Sequence, residues 1–465
     1  MKNILSIILL IGFNFISISQ TIDDYMKEGA TNNPALKSSF SEYNSALQRI
    51  PQVGALPDPE VSFGIFTEPM PRFVGNQVAQ ISVMQMFPWI GTLGSAKNEA
   101  SLMAKAKYEQ FNELKSSINY EIKTTLYALY LIEKEIEITK ENIEILKTLE
   151  QIVINRYTTG PASGERTTSG TSMSSDVSGT SGGSSGSMDN MNNQSAPAVK
   201  SGTQGNMNQN MGEMKSGSSM IDVIRIQLEI NEINNSLILM YNNRHHLIIQ
   251  FNKLLNRDLN ANVVIPDTLL PLDIPIPISQ IPDSIKENNP MMNMLVWEEE
   301  AYSEQERMNR KMGFPMFGLG LQYDIFQPRP GNDIMMNGRN MLMPMVTVSI
   351  PLWRNKYSSS IREAGYLREG ISNQKIEVTN ELMVGYEEAL IDFQDAYRRI
   401  ELYQKQLNLS QQALNILTVQ YTTSGSNFEE VLRMQQQQLS YRLSVLEAVV
   451  DSNVTVAMIE RLMGR

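Results

Sequence analysis

The chain has 465 residues, a formal net charge of -11 and no cysteine. Without cysteine there are no disulfides, thiolate metal sites, cysteine nucleophiles or N-terminal lipids on cysteine, so any soft-metal chemistry falls to the 29 methionines. The negative charge argues against a nucleic-acid partner and suits a cation-handling surface.

The chain opens MKNILSIILLIGFNFISISQ, one lysine followed by an apolar run to Ile18, with small residues around Ser17 and Ser19. It reads as a secretory signal peptide over 1–19, cut near Gln20. As a membrane anchor, the alternative, the run falls short of the roughly 20 apolar residues that cross a bilayer. No later stretch comes close, so the mature chain is soluble or inserted by strands.

A first structural repeat is expected over 20–262. Its hairpin, about 58–88, has EVSFGIF (60–66), a turn-rich TEPMPRFVGN and VAQISVMQMF (78–87), segments of period-two alternation that suit transmembrane β-strands. A long helix follows, about 91–157, with no Gly or Pro from Ala96 to Tyr157. Leu131, Ile138, Ile145 and Ile152 recur every seven residues, and Leu129, Ile136 and Ile143 form a second seam about 200° away. Opposed seams fit a helix in a cylinder wall; an ordinary long coiled coil is the alternative. The Ser-, Gly- and Asn-rich insert 161–219 is too poor in apolar surface to fold and is expected to be disordered. A return helix, about 220–257, closes the repeat, and a proline-punctuated connector, 263–284, joins it to the second, ordered because its apolar residues need burial.

The second repeat, 285–465, runs through a β-hairpin (about 315–351), a long helix (about 355–421) and a return helix (about 427–463). Its seams are Leu402, Leu409 and Ile416, and Ile400, Leu407 and Leu414. The duplication is explicit. Trp89, Ser95, Glu99 and Ala100 recur 264 residues later as Trp353, Ser359, Glu363 and Ala364, and Tyr157, Thr158 and Thr159 recur as Tyr421, Thr422 and Thr423. The offset then falls to 208, with Asp222, Val223, Arg225 and Gln227 matching Glu430, Val431, Arg433 and Gln435, so the first copy holds about 56 extra residues, between Gly160 and Met220, where the insert lies. Four strands per chain cannot close a barrel, for which about eight is the usual minimum, so an oligomer must complete it.

The paired hairpins, QMFPWIGTLGSAKNEA and IPLWRNKYSSSIREA, the Gly- and Pro-free helix, and the turns RYTTG/IDVIRIQLE and QYTTSGSNFEEVLRMQQQQL resemble the TolC-like family of outer-membrane efflux channels. The resemblance covers nearly all of the mature sequence and is closest in character to copper and silver efflux channels. It implies a mostly α-helical chain with a transmembrane β-barrel portion, and a homotrimer in the lipid of a Gram-negative outer membrane with a periplasmic helical tunnel. It also implies that a membrane-fusion adaptor, beneath which sits an inner-membrane pump of the resistance-nodulation-division type, docks on the tips. The matching tip residues are Tyr157, Thr158, Thr159, Gly160, Asp222 and Arg225 in the first copy, and Tyr421, Thr422, Thr423, Gly425, Glu430 and Arg433 in the second. The sequence lacks the lipidation cysteine found in some members of the family, and the insert interrupts its first turn.

That insert carries Met188 and Met191 in MDNM, and Met207, Met211 and Met214 in MNQNMGEM, thioethers spaced to converge on one Cu(I) or Ag(I) ion. The alternative is a drifting linker with incidental methionines. In the hairpins Met84, Met86, Met341, Met343 and Met345 alternate onto the face of the polar residues, which in a channel is the lumen, unless methionine only fills space there. The expected function is therefore efflux with transient Cu(I) or Ag(I) and no resident cofactor. Export of drugs or other organic compounds, and a periplasmic coiled-coil or metal-binding protein without a channel, are the alternatives. No catalytic constellation is present: GTLGSAK (91–97) lacks phosphate-loop spacing, and His245 and His246 point about 100° apart, suited to core or tunnel packing.

Overall fold

The structure, a computed structural model, describes residues 22–158, 217–331, 335–424 and 427–465. The signal-peptide segment, the five insert methionines, Thr159, Gly160 and Gly425 lie outside the described residues. In chain order the elements are α1 (Ile22–Asn32), α2 (Pro34–Gly54), β1 (Glu60–Arg72), β2 (Gly75–Phe87), α3 (Thr92–Thr158), α4 (Gly217–Leu254), α5 (Ile281–Asn288), α6 (Pro290–Met312), β3 (Met316–Gln327), β4 (Met341–Ser349), α7 (Arg354–Ser424) and α8 (Phe428–Leu462). With 67 and 71 residues, α3 and α7 are each about 100 Å long at 1.5 Å per residue.

Helices α1, α2, α5 and α6 have no counterpart in the pattern reading, where Asn-Asn-Pro served only to mark the repeat. The motif is a helix start. Asn33 Oδ1 accepts from the Ala35 and Leu36 amides, Asn289 Oδ1 from those of Met291 and Met292, and proline follows each as the first helical residue. Each cap also reaches across the fold: the Asn33 amide donates to the Leu254 carbonyl at 2.9 Å and the Asn289 amide to the Leu462 carbonyl at 3.0 Å, fastening the end of each return helix. Asn289 is buried. Replacing it by alanine removes a cap and strands a buried carbonyl, so Asn289→Ala is expected to cost about 2–4 kcal/mol, read from the urea midpoint.

The two copies pack equivalent cores with redistributed bulk. The first joins Tyr25, Ile122, Phe251 and Leu255, the Tyr25 and Phe251 rings meeting edge to face at 4.9 Å; Gly29 makes room, since a Cβ there would stand 2.6 Å from Ile122 Cδ1. At the corresponding positions the second joins Ile281, Ile285, Tyr386, Ile459 and Met463. The aromatic mass moves from α1 and the return helix to the long helix, and Ile285 stands at the position equivalent to Gly29. The connector lies along both copies: the Leu269 amide donates to Tyr130 Oη, and Asn453 accepts from the Leu272 amide while donating to the Leu270 carbonyl.

Every layer is an open strip. The sheet runs β1-β2-β3-β4, all antiparallel. Beside it the helices run α2-α3-α6-α7, and farther along α4-α3-α8-α7. One margin is thus made of first-copy elements (β1, α2, α4) and the other of second-copy elements (β4, α7). One apolar seam is buried within the protomer, with Leu129, Ile136, Ile143 and Ile400 all shielded. The other stays open on α7, where Leu409 and Ile416 are 64% and 68% exposed.

TEPMPR is strand rather than turn: β1 continues to Arg72 past an irregularity between Ile65 and Met70, and only Phe73 and Val74 make the turn. Proline lacks the N–H that a central strand needs, but β1 is an edge strand, and so is β4, which contains Pro344.

Candidate functional site

Side chains of a strand alternate between faces, and the register sorts the sheet into two of them. On one lie Val61, Val83 and Leu321, then Phe63, Ile81, Tyr323 and Leu342, then Leu319 and Val346, all exposed; Phe63 reaches 73% and Val346 72%. A continuous exposed apolar face on strands of 9 to 13 residues matches the roughly 9–11 that cross a bilayer. At the helical end of the sheet Trp89 stacks on Phe314 at 4.9 Å, and its repeat mate Trp353 is exposed. Among the described residues no helix is long and apolar enough to cross a membrane.

The opposite face is polar. Ser62 and Ser82 share a hydrogen bond of 2.6 Å, and the buried Asp324 carboxylate accepts from the amides of Gln77 at 2.9 Å and Gln322 at 2.8 Å. Met84, Met86, Met341, Met343 and Met345 share this face, each in a cross-strand row with a polar residue or glycine. Sequence reading missed Gln77, Asp324 and the glycines Gly318 and Gly320 beneath the methionines, although GLGL alternates visibly. At the far end the hairpin loops are tied together: Arg329 donates to the Asn76 side chain and the Arg72 carbonyl, and the Gly338 amide to the Val74 carbonyl at 2.7 Å. Met335 and Met336 are exposed there.

The helical tips share one core of Leu149, Val153, Val223, Ile226, Tyr421, Phe428 and Val431. Tyr421 is buried in it, its ring 5.1 Å from Phe428, while Thr422 and Thr423 are exposed and both bond to the Val419 carbonyl. Thr158 bonds to the Ile154 and Asn155 carbonyls, closing α3. Tyr157 falls in the last turn of α3. Arg225 lies 3.9 Å from Asp222 and 3.4 Å from Glu429, joining the two tips, and Arg433 pairs with Glu430 at 3.2 Å. His245 and His246 are exposed on α4 rather than packed in a core, and His246 meets the Gln250 amide at 2.8 Å. No cluster of three His, Cys, Asp or Glu side chains suited to a metal occurs among the described residues.

Burial pushes the Asp222 carboxyl above its ordinary 3.8, with Arg225 opposing and Glu429 reinforcing the shift. The folded state therefore holds this proton more tightly than the unfolded chain, and stability falls as pH rises above 3.8. Thermal melts from pH 4 upward should show that slope, flattened in Asp222→Asn.

No family model matches the sequence, and no curated protein does. Solved structures do match. The outer-membrane protein VceC of Vibrio cholerae gives a TM-score of 0.69 at 12% identity, over 95% of this chain and 95% of its own. CusC gives 0.70 at 11% identity over 96% and 92%, and the MtrE outer-membrane channel of Neisseria gonorrhoeae, in its open state, 0.66 at 11% over 96% and 89%. The chain has the TolC-like outer-membrane channel fold. At 11% or 12% identity this TolC-like likeness is one of backbone path. The alternating strands and doubly seamed helices specify it, since many side-chain sets satisfy the same pattern.

Proposed function

We propose that the chain is one subunit of a homotrimeric outer-membrane channel in a tripartite efflux system of a Gram-negative bacterium, exporting Cu(I) or Ag(I). The observation that carries the channel reading is the open strip: each layer ends on one first-copy and one second-copy margin, a heterologous pair that closes into a ring when copies join head to tail. The exposed apolar face then meets lipid and the polar face lines the lumen. The channels it resembles, OprN, CmeC and MtrE, are outer-membrane channels, which supports the location. A periplasmic adaptor, seated on an inner-membrane pump of the resistance-nodulation-division type, docks on the exposed tip residues around Thr158, Thr422 and Thr423.

The soft-metal cargo rests on the methionines of the polar face and of the insert, where Met188, Met191, Met207, Met211 and Met214 would collect ions at the tunnel entrance. Thioethers stay unprotonated and select soft monovalent cations over Zn(II). Sensitivity profiling of a deletion strain tests this. Hypersensitivity to copper and silver, restored by the wild-type chain and only partly by one with those five methionines changed to serine, is the expected result. Hypersensitivity to dyes and detergents alone would instead assign organic compounds as cargo. A monomeric, water-soluble mature chain would remove the channel.

A further inference from the structure

We propose that Met84, Met86 and Met345 form a thioether cradle for one soft monovalent cation, Cu(I) or Ag(I), above a floor made by Gly318 and Gly320. The register sets the parts side by side. Glu60, Met84, Gly320 and Met345 form one cross-strand row, and Met86, Gly318 and Thr347 belong to the next. The absence of side chains on β3 decides where the sulfurs lie. A Cβ built on Gly318 would stand 2.7 Å from Met86 Sδ and 3.6 Å from Met84 Sδ, and one on Gly320 would stand 3.5 Å from Met345 Cε. Both sulfurs of β2 therefore come within 3.6 Å of a single point over Gly318, and the Met345 methyl approaches from the other side of the floor.

These three methionines are half-buried, lying along the sheet instead of extending from it. Hydrophobic packing does not account for them there, because the exposed apolar side chains of Val61, Val83, Leu321, Leu319 and Val346 stand on the opposite face, and the one buried aromatic of the polar face, Phe326, lies at the far end of the sheet in the row of Gln77. Thioether donors on neighbouring strands supply soft, neutral ligands, and the Glu60 carboxylate in the same row supplies compensating charge. Half-burial leaves the ion exchangeable, as a site along a conduction path needs. The inference deepens the metal-efflux reading and rests on it only for the statement that this face lines the channel.

The test is an Ag(I) titration of purified full-length protein in detergent against a chromophoric competitor, with Met188, Met191, Met207, Met211 and Met214 replaced by serine to lower the background. Met84→Leu combined with Met86→Leu conserves volume and should remove about one equivalent of Ag(I) per chain. Gly318→Ala keeps every sulfur but pushes Met86 off the floor, and should weaken that equivalent by about tenfold or more. Unchanged titration of the leucine pair would overturn the site. Oligomeric state measured on the same samples separates the two readings. A trimer whose leucine pair binds Ag(I) undiminished loses the cradle and keeps the channel, whereas a soluble monomer that loses an equivalent with the leucine pair keeps the cradle and loses the channel.

Discussion

On the proposed ring, the wild-type chain is expected to elute as a trimer in mild detergent and a chain carrying Leu409→Glu and Ile416→Glu as a monomer. Both side chains lie on α7, the last helix of the strip, and both are largely exposed in the protomer, so glutamate there perturbs no internal contact. In the proposed ring they would face α4 of the next copy, whose Leu228, Ile238 and Leu239 are exposed too. Burying an unpaired carboxylate in such a joint costs several kcal/mol, and every joint would hold a pair of them. Light scattering after size exclusion reads the oligomer, and far-UV circular dichroism should show unchanged helix content. Persistence of the trimer would mean that this seam faces water, and the ring would have to be drawn another way.

The second large effect belongs to the sheet. Leu321→Arg puts a guanidinium on the apolar face in the row of Val61, Val83 and Pro344, midway along the shared register. An arginine at the bilayer midplane costs about 2–4 kcal/mol in a barrel, and the penalty is paid by every subunit of the ring. The variant should fail to give a heat-modifiable band when refolded into liposomes. Gln322→Arg, one residue along and on the polar face, should insert normally. Equal behaviour of the two would reverse or abolish the assignment of faces.

What could be read from residues alone follows from which physical signals are local. Alternation in VAQISVMQMF and MFGLGLQYDIF, and the Gly- and Pro-free run from Ala96, are local signals, and β2, β3 and α3 follow them. The prolines of β1 mimic a turn until its edge position is known, so alternation alone ends that strand too early. The face of each methionine follows from parity, but the glycines beneath Met84 and Met86 depend on how β2 slides against β3, a register set between distant repeats. The burial of Tyr421 likewise needs Phe428 and Val431 beside it, which only the packed tip supplies.

The unlike margins of the strip carry a genetic consequence. In the proposed ring, a subunit spoiled on its α7 side would still present a sound α4 side and would recruit a healthy neighbour into an assembly that cannot be completed. Alleles damaging one side should therefore act dominantly over a resident wild-type copy. Alleles that prevent the subunit from folding at all should be recessive, because nothing is recruited.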